Sequence, residues 1–360
     1  MPSLSFLLFP DVVYERILAN LGPQELLDLS LCSLKTRKIV KSNLASNSNL
    51  IIRVEWKETL KSISIVENFE FSFNKTCWKF EKTDNPQVGD IIRVISGSLF
   101  DFHQEYQNLL ENRSNLSIDE ITKFFKYFMD IFGDKRYQIE LKISDFASFA
   151  QFQEFPEFKK CSELVVQGET VPTDILIRLL EDYDAKVWKS ISCEPDSAFD
   201  YDTLITGSLI SIAYGYWINR RILLNFDCEA IRIIRSTLTS EDFNAFIKKW
   251  FDSSDKKLEY LNVRGKIRND INEPGFTMTS LDLAVISRDL PAIPGATKRP
   301  EDKRYDCFGS RVPHDKGVDI RRADGTLATA VVYQNRWRTC SFLFQVWKDP
   351  NPNLVTDNTD

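Results

Sequence analysis

A chain that does covalent chemistry needs nucleophiles, bases and anion holders at set spacings, and here such residues are few and scattered. Histidine, the side chain best suited to moving protons near neutrality, occurs only at 103 and 314, with no HExxH or paired-ligand spacing around either. Cysteines stand at 32, 77, 161, 193, 228, 307 and 340. The nearest two are 32 residues apart, so no CxxC redox or zinc pair exists. No GxSxG elbow, GxxxxGK[ST] phosphate loop or GxGxxG fingerprint is present. Adjacent carboxylates such as Glu181-Asp182 and Glu301-Asp302 point apart and read as solvated surface. The basic group Lys298, Arg299, Lys303, Arg304, Arg311, Arg321 and Arg322 is interleaved with Glu301, Asp302, Asp306, Asp315 and Asp319. That mixture reads as a mixed-charge loop and not as a phosphate site. The sequence therefore predicts a non-catalytic chain with no metal and no cofactor.

What remains is the chemistry of association, and it is concentrated near the N-terminus. Residues 9–44 read as three short helices. Pro10 and Asp11 open the first, and Val13, Ile17, Leu18 and Leu21 recur along one face. Gly22-Pro23 breaks it, with Pro23 placed as the first residue of the next helix, where its missing N–H costs nothing. Leu26, Leu27, Leu29 and Leu31 make the second segment apolar on more than one side. The third carries Arg37, Lys38 and Lys41 outward and Ile39 and Val40 inward. About 35 residues with this many leucines cannot bury them all internally, so part of the surface belongs to a core or an interface.

The order Phe9-Pro10, Ile17-Leu18, Leu21, Glu25-Leu26, Leu29, Leu31-Cys32-Ser33 resembles an F-box, the motif that docks on the Skp-type adaptor of cullin–RING ubiquitin ligases. Phe9 stands where leucine is commoner, and Thr36 near where many F-boxes place a tryptophan, which would weaken packing of the third helix. The resemblance implies an adaptor-binding set of Phe9, Pro10, Val13, Ile17, Leu18, Leu21, Leu26, Leu29 and Leu31.

Length and composition bound the rest. At 360 residues the chain has room for two or three domains, and 43% hydrophobic with 27% charged residues is ordinary globular composition. A net charge of -6 argues against nucleic acid as the main partner. The longest uncharged stretch, 203–219, is interrupted by Gly207, Ser208, Ser211 and Gly215 and is too polar to span a bilayer. The start of the chain lacks the basic region of a secretory signal, and an odd cysteine count fits free thiols. The expected location is cytoplasmic or nuclear, and the sequons at Asn74, Asn112 and Asn115 are chance matches.

Residues 50–100 switch to short β-branched and aromatic runs, and 101–133 read as helix, with Ser117 and Glu120 forming a capping box. From 137 the strands YQIELKIS, SELVVQG, VWKSISC, ILLNFDC and LEYLNVRG alternate with DFASFAQFQEF, TDILIRLLEDY and SEDFNAFIKKWF, which read as helix. Strand centres at Leu141, Val165, Ile191, Phe226 and Val263 step by 24, 26, 35 and 37 residues. That rhythm, with Cys193 and Cys228 closing strands, predicts an irregular leucine-rich-repeat-like array; a packed α/β domain is the alternative. Residues 288–317 form a long proline- and glycine-rich loop, VDIRRADGTLATAVVY a hairpin turning at Asp324-Gly325, SFLFQVW a last strand, and 348–360 a polar tail.

A second resemblance lies in this part. Leu238-Thr239-Ser240-Glu241-Asp242-Phe243-Asn244, Phe246-Ile247-Lys248, Trp250 and Leu258-Glu259-Tyr260-Leu261 look like the type 2 F-box-associated domain, found beside the F-box in a family expanded in nematodes. Thr239 is placed as an N-cap with Asp242 three residues on, and Phe243, Phe246, Ile247 and Trp250 share a helix face. The expected class is α+β or α/β: F-box at 5–48, a strand-rich segment with a helix at 49–136, the array at 137–347, a tail at 348–360. The implied role is substrate receptor of an SCF-type ubiquitin ligase, binding a Skp-type adaptor, through it a cullin, and a target protein. The alternative is an interaction scaffold that recruits no ligase.

Overall fold

The computed structural model describes residues 10–21, 23–43, 50–57, 61–67, 77–82, 92–95, 98–105, 117–132, 137–153, 155–265, 281–295, 316–334 and 340–347. The chain divides into two compact units, 1–165 and 166–360. Helices open the chain and strands of mixed direction dominate the remainder, as an α+β protein requires.

The first unit begins with helices α1 (Asp11–Leu18), α2 (Pro23–Cys32) and α3 (Leu34–Asn43). Strands β1 (Leu50–Trp56), β2 (Lys61–Glu67), β3 (Cys77–Lys82), β4 (Ile92–Ile95) and β5 (Ser98–Glu105) come next, then helix α4 (Ile118–Phe132) and β6 (Tyr137–Ile143). Helix α5 (Phe149–Phe152) and a 3-10 turn at Pro156–Lys160 close the unit. The strand order is β6-β1-β2-β3-β5-β4. Among the described neighbours in this order, β1 and β6 pair in parallel and the others antiparallel. The helix expected over 101–133 is two different elements: 101–105 complete β5, and α4 begins at Ile118. Residues 106–116 lie outside the described residues, with Asn112, Asn115 and Asn74. The alternation Phe100, Phe102 against Asp101, His103 is the strand signal that the helical reading passed over.

The capping box is as expected. Ser117 N–H donates to Glu120 Oε2 at 2.8 Å, and Glu120 N–H to Ser117 Oγ at 3.3 Å. Ile121, Phe124, Phe125 and Phe128 are buried on the inward face of α4. Phe125 meets Phe158 edge-on at 5.1 Å, Phe158 stacks on Phe152, and Phe152 meets Trp56 of β1 at 5.2 Å. Trp56 is fully buried, with its indole N–H bonded to Ser148 Oγ at 2.8 Å.

Strand β7 (Glu163–Val171) spans the boundary at 165. The second unit continues with α6 (Thr173–Asp182), β8 (Trp188–Pro195), β9 (Ile205–Ile212), a 3-10 turn at Gly215–Trp217, α7 (Arg220–Leu224), β10 (Phe226–Ile233) and α8 (Ser240–Asp252). Then come β11 (Tyr260–Arg264), α9 (Leu283–Ile286), β12 (Ala292–Pro294), β13 (Val318–Arg321), β14 (Leu327–Gln334) and β15 (Cys340–Trp347). The order is β7-β8-β9-β10-β11-β15-β14-β13-β12. Strands β8 to β11 are parallel neighbours in sequence order, and β15 runs antiparallel between β11 and β14.

Three expectations change here. A strand at 205–212 falls in the uncharged stretch: Ile210 and Ile212 are buried, and Gly207 and Ser211 occupy the alternate positions. The run ILLNFDC is not one strand, because Arg220–Leu224 is a helix capped by Asn219, whose side chain accepts from Ile222 N–H at 3.0 Å. Cys228 therefore stands near the start of β10 instead of closing a strand, and Cys193 is interior to β8. Part of the expected loop is also ordered, since β12 pairs with β13; 296–315 lie outside the described residues, as does the tail from 348.

Gly215 lets the 3-10 turn approach β10. A Cβ there would lie 2.2 Å from Ile233 Cγ2 and 3.0 Å from Ile234 O, so no larger residue fits. Gly325 turns the β13–β14 hairpin at φ +89°, as the Asp324-Gly325 pair predicts.

Candidate docking site

Helix α1 starts directly after Pro10, whose extended backbone lets its carbonyl accept from Val13 N–H at 2.9 Å. Two stripes run along it. Tyr14 and Leu18, one turn apart, are buried; Val13 and Ile17, also one turn apart, are half-buried. Leu21 follows the helix and is half-buried too. Helix α2 repeats the division, with Leu26, Leu27 and Ser30 buried and Leu29 and Leu31 half-buried. Of the expected docking set, then, Leu18 and Leu26 lie inside the fold. Val13, Ile17, Leu21, Leu29 and Leu31 keep apolar surface, Pro10 is exposed, and Phe9 lies outside the described residues. Leu34, absent from that set, is 77% exposed at the start of α3.

Thr36 takes a role that its departure from tryptophan does not announce. Ser33 N–H donates to Thr36 Oγ1 at 2.9 Å and Thr36 N–H donates to Ser33 Oγ at 3.1 Å. This reciprocal cap fixes the start of α3 through short polar side chains, where a tryptophan would pack. The pattern Ser-x-x-Thr was the available signal.

Helices α1 and α2 pack on α3, and α3 packs on α4. Arg37 places two N–H donors on Asp130 Oδ2, at 3.0 and 2.6 Å, and Lys41 bonds Asp130 Oδ1 at 2.8 Å. The Arg37 guanidinium also lies 4.5 Å from the centre of the Tyr127 ring. Ser30 Oγ donates to Leu27 O at 2.6 Å, leaving its oxygen to accept from Tyr127 OH at 3.0 Å. Burial pushes the Tyr127 hydroxyl above its ordinary value, whereas the Lys41 hydrogen bond, with Arg37, holds the Asp130 carboxyl below the usual carboxylate range.

In the second unit, α8 is opened by Thr239 and Asp242: Thr239 N–H donates to Asp242 Oδ2 at 2.8 Å. The face expected to be apolar is buried, with Phe243 stacked on Phe342 at 4.1 Å and Trp250 edge-on to Phe344 at 5.0 Å. Asn244 holds α9 against this helix, donating to Ile286 O at 2.8 Å and Arg288 O at 2.9 Å. Ser240 Oγ accepts from Asp282 N–H at 2.9 Å.

The basic group near the hairpin resolves differently. Arg322 is buried, donating to Asp255 O at 2.7 Å and to Asp324 Oδ2 at 2.7 Å, with its guanidinium 4.9 Å from the Trp250 ring centre. Its charge is absorbed by the hairpin and the end of α8. Lys298, Arg299, Lys303, Arg304, Arg311 and His314 lie outside the described residues. Among the described residues no group of His, Cys, Asp and Glu could hold a metal, and no helix is long and apolar enough to cross a membrane.

Comparison with known families decides what the N-terminal helices are. The F-box domain model matches residues 6–44, which hold α1 to α3, and the F-box associated model matches 200–263, which hold β9 to β11 with α7 and α8. The chain carries an F-box domain and an F-box-associated domain. An uncharacterized protein of Caenorhabditis elegans is 23% identical over 365 residues, covering 96% of this chain and 79% of its own length. The E3 ubiquitin-protein ligase hecw-1 of the same organism is 37% identical over 67 residues, 19% of this chain and 5% of that one. No solved structure matches. The half-buried stripe of Val13 and Ile17 thus lies within the F-box match, and Asn244 and its helix within the F-box-associated match.

Proposed function

We propose that this chain is the substrate receptor of an SCF-type ubiquitin ligase. The F-box would dock a Skp-type adaptor, and through it a cullin, while the C-terminal part holds a target protein. One observation carries the reading: after the F-box helices have buried Tyr14, Leu18, Leu26 and Leu27, a second stripe of Val13, Ile17, Leu21, Leu29 and Leu31 keeps apolar surface. On this reading Pro10 and that stripe, with Phe9, meet the adaptor, and Leu18 and Leu26 shape the helices that present it. The chain itself does no chemistry and holds no metal or cofactor; it raises the local concentration of target near the transferring enzyme. It works in the cytosol or nucleus, without nucleic acid or membrane as partner.

Adaptor binding is assigned to 5–48 and target binding to 137–347. The sequence-ordered parallel strands β8–β11, with α7 before β10 and α8 before β11, suit a leucine-rich-repeat-like surface for a protein ligand. Local similarity to a ubiquitin-protein ligase supports the pathway. A second reading, a scaffold without ligase, draws on the packing of α3 against α4, which gives the F-box an internal role. Co-purification of the tagged full chain and of its Leu21→Asp variant from cells separates the two. The receptor reading expects adaptor and cullin with the wild type, and with the variant only the remaining protein partners. A wild type that brings down no adaptor, or a variant that keeps it, would sink the reading.

A further inference from the structure

The F-box helices make a polar seam with a helix far along the chain. Ser30 and Tyr127 are 97 residues apart in sequence and Arg37 and Asp130 are 93 apart, yet each pair is in hydrogen-bond contact. Asp130 uses both carboxylate oxygens, one for Arg37 and one for Lys41. On its inward side α4 is anchored through Phe125, Phe158 and Phe152 to Trp56 of β1. The F-box is thus joined to the β1–β6 sheet of its own unit by way of α4.

We infer that Tyr127 and Asp130 are positioning residues that fix the direction in which the F-box presents its adaptor surface. For its consequence the inference rests on the receptor reading, since orientation matters most when another part of the chain holds a target. Neither residue belongs to the docking stripe. A rigid joint built from directional bonds fixes an angle, which apolar packing alone does less well. The Asp130 ion pairs are partly exposed and the Ser30–Tyr127 bond is a single buried hydrogen bond, so each is modest in strength and removing the seam should free the F-box without unfolding it.

The test is amide hydrogen exchange on the full chain, comparing wild type, the double variant Tyr127→Phe with Asp130→Asn, and the conservative Asp130→Glu. Exchange in α1–α3 of the double variant should rise about tenfold, with β1 and β6 still protected, and Asp130→Glu should stay near wild type. Affinity for purified Skp-type adaptor should stay within about threefold of wild type, because the docking stripe is untouched. Unchanged exchange in α1–α3 would overturn the inference. So would an equal rise in β1 and β6, which would make α4 a general stabiliser, or an adaptor affinity that falls with the seam. If the wild type binds no adaptor, the receptor reading fails on its own, and the exchange result still decides whether the seam orients the F-box.

Discussion

Arg37 on the third F-box helix reaches Asp130 on α4 at 2.6 Å across 93 residues of intervening sequence. Lys41, one turn further along α3, takes the other carboxylate oxygen. An F-box read from sequence alone is a local object; here it is held by a helix that lies beyond five strands.

This pairing predicts a pH dependence. The Asp130 carboxyl is held low first by the Lys41 hydrogen bond and then by Arg37. A carboxylate whose value is depressed by folding stabilises the fold above its unfolded value of about 4, and that contribution disappears as pH falls through the folded value. The side chains are partly exposed, so the effect is at most about 1 kcal/mol per pair. The thermal midpoint of wild type should exceed that of Asp130→Asn at about pH 7, and the gap should narrow as pH falls below the unfolded value of about 4 and close once the depressed Asp130 carboxylate is protonated. A gap that persists at low pH would mean the carboxylate is not the source.

Asn244 should be sensitive in the second unit. Its amide satisfies two backbone carbonyls near α9, so Asn244→Ala leaves both without this donor and should cost about 1–3 kcal/mol. Urea unfolding should show a lower midpoint with an unchanged slope. A variant as stable as wild type would show that α9 contributes nothing to holding α8.

Arg322 was placed by sequence in a surface cluster, and the fold buries it. Arg322→Lys keeps the charge but loses the planar fork that serves Asp255 O and Asp324 together, at a cost of about 2–3 kcal/mol. Arg321→Lys, on the neighbouring exposed residue, should change stability within about 0.5 kcal/mol. Equal effects at the two positions would contradict the assigned roles.

The thiols divide by burial. Cys193 is pushed up to about 12 by burial, and burial drives Cys228 upward as well, while Cys32 is exposed. At about pH 8 the Cys193 thiolate fraction is on the order of 10⁻⁴. Alkylation read by mass spectrometry should label Cys32 in the native chain and Cys193 and Cys228 only after denaturation. Native labelling of Cys228 at the Cys32 rate would mean that β10 opens readily.

What the sequence disclosed was local. The proline that starts α2, the capping pairs Ser117–Glu120 and Thr239–Asp242, the Asp324-Gly325 turn and the buried face of α8 all depend on residues within about four positions of one another. Strand β9 stayed hidden because Thr206 and Ser208 share the side of Ile210 and Ile212 and blur the alternation, and α7 because its five residues include as many apolar ones as a strand. The Asn219 cap was the one signal for that helix. Three features had no local signal at all: the seam of Arg37 with Asp130, the insertion of β15 between β11 and β14, and the burial of Arg322. Each is fixed by pairing between distant segments, which periodicity cannot report.

If the half-buried stripe of the F-box is an adaptor surface, a binding isotherm will register it. Purified full-length chain is titrated with purified Skp-type adaptor and compared with Leu21→Asp. Leu21 is only half-buried in the free chain, so the substitution should leave the fold intact, and circular dichroism can verify that. In the complex, however, the new carboxylate would be buried against apolar surface without a partner. Wild type should bind saturably, and the variant should lose at least about 100-fold in affinity, equivalent to about 2.7 kcal/mol. Equal affinities, or no binding by the wild type, would contradict that assignment.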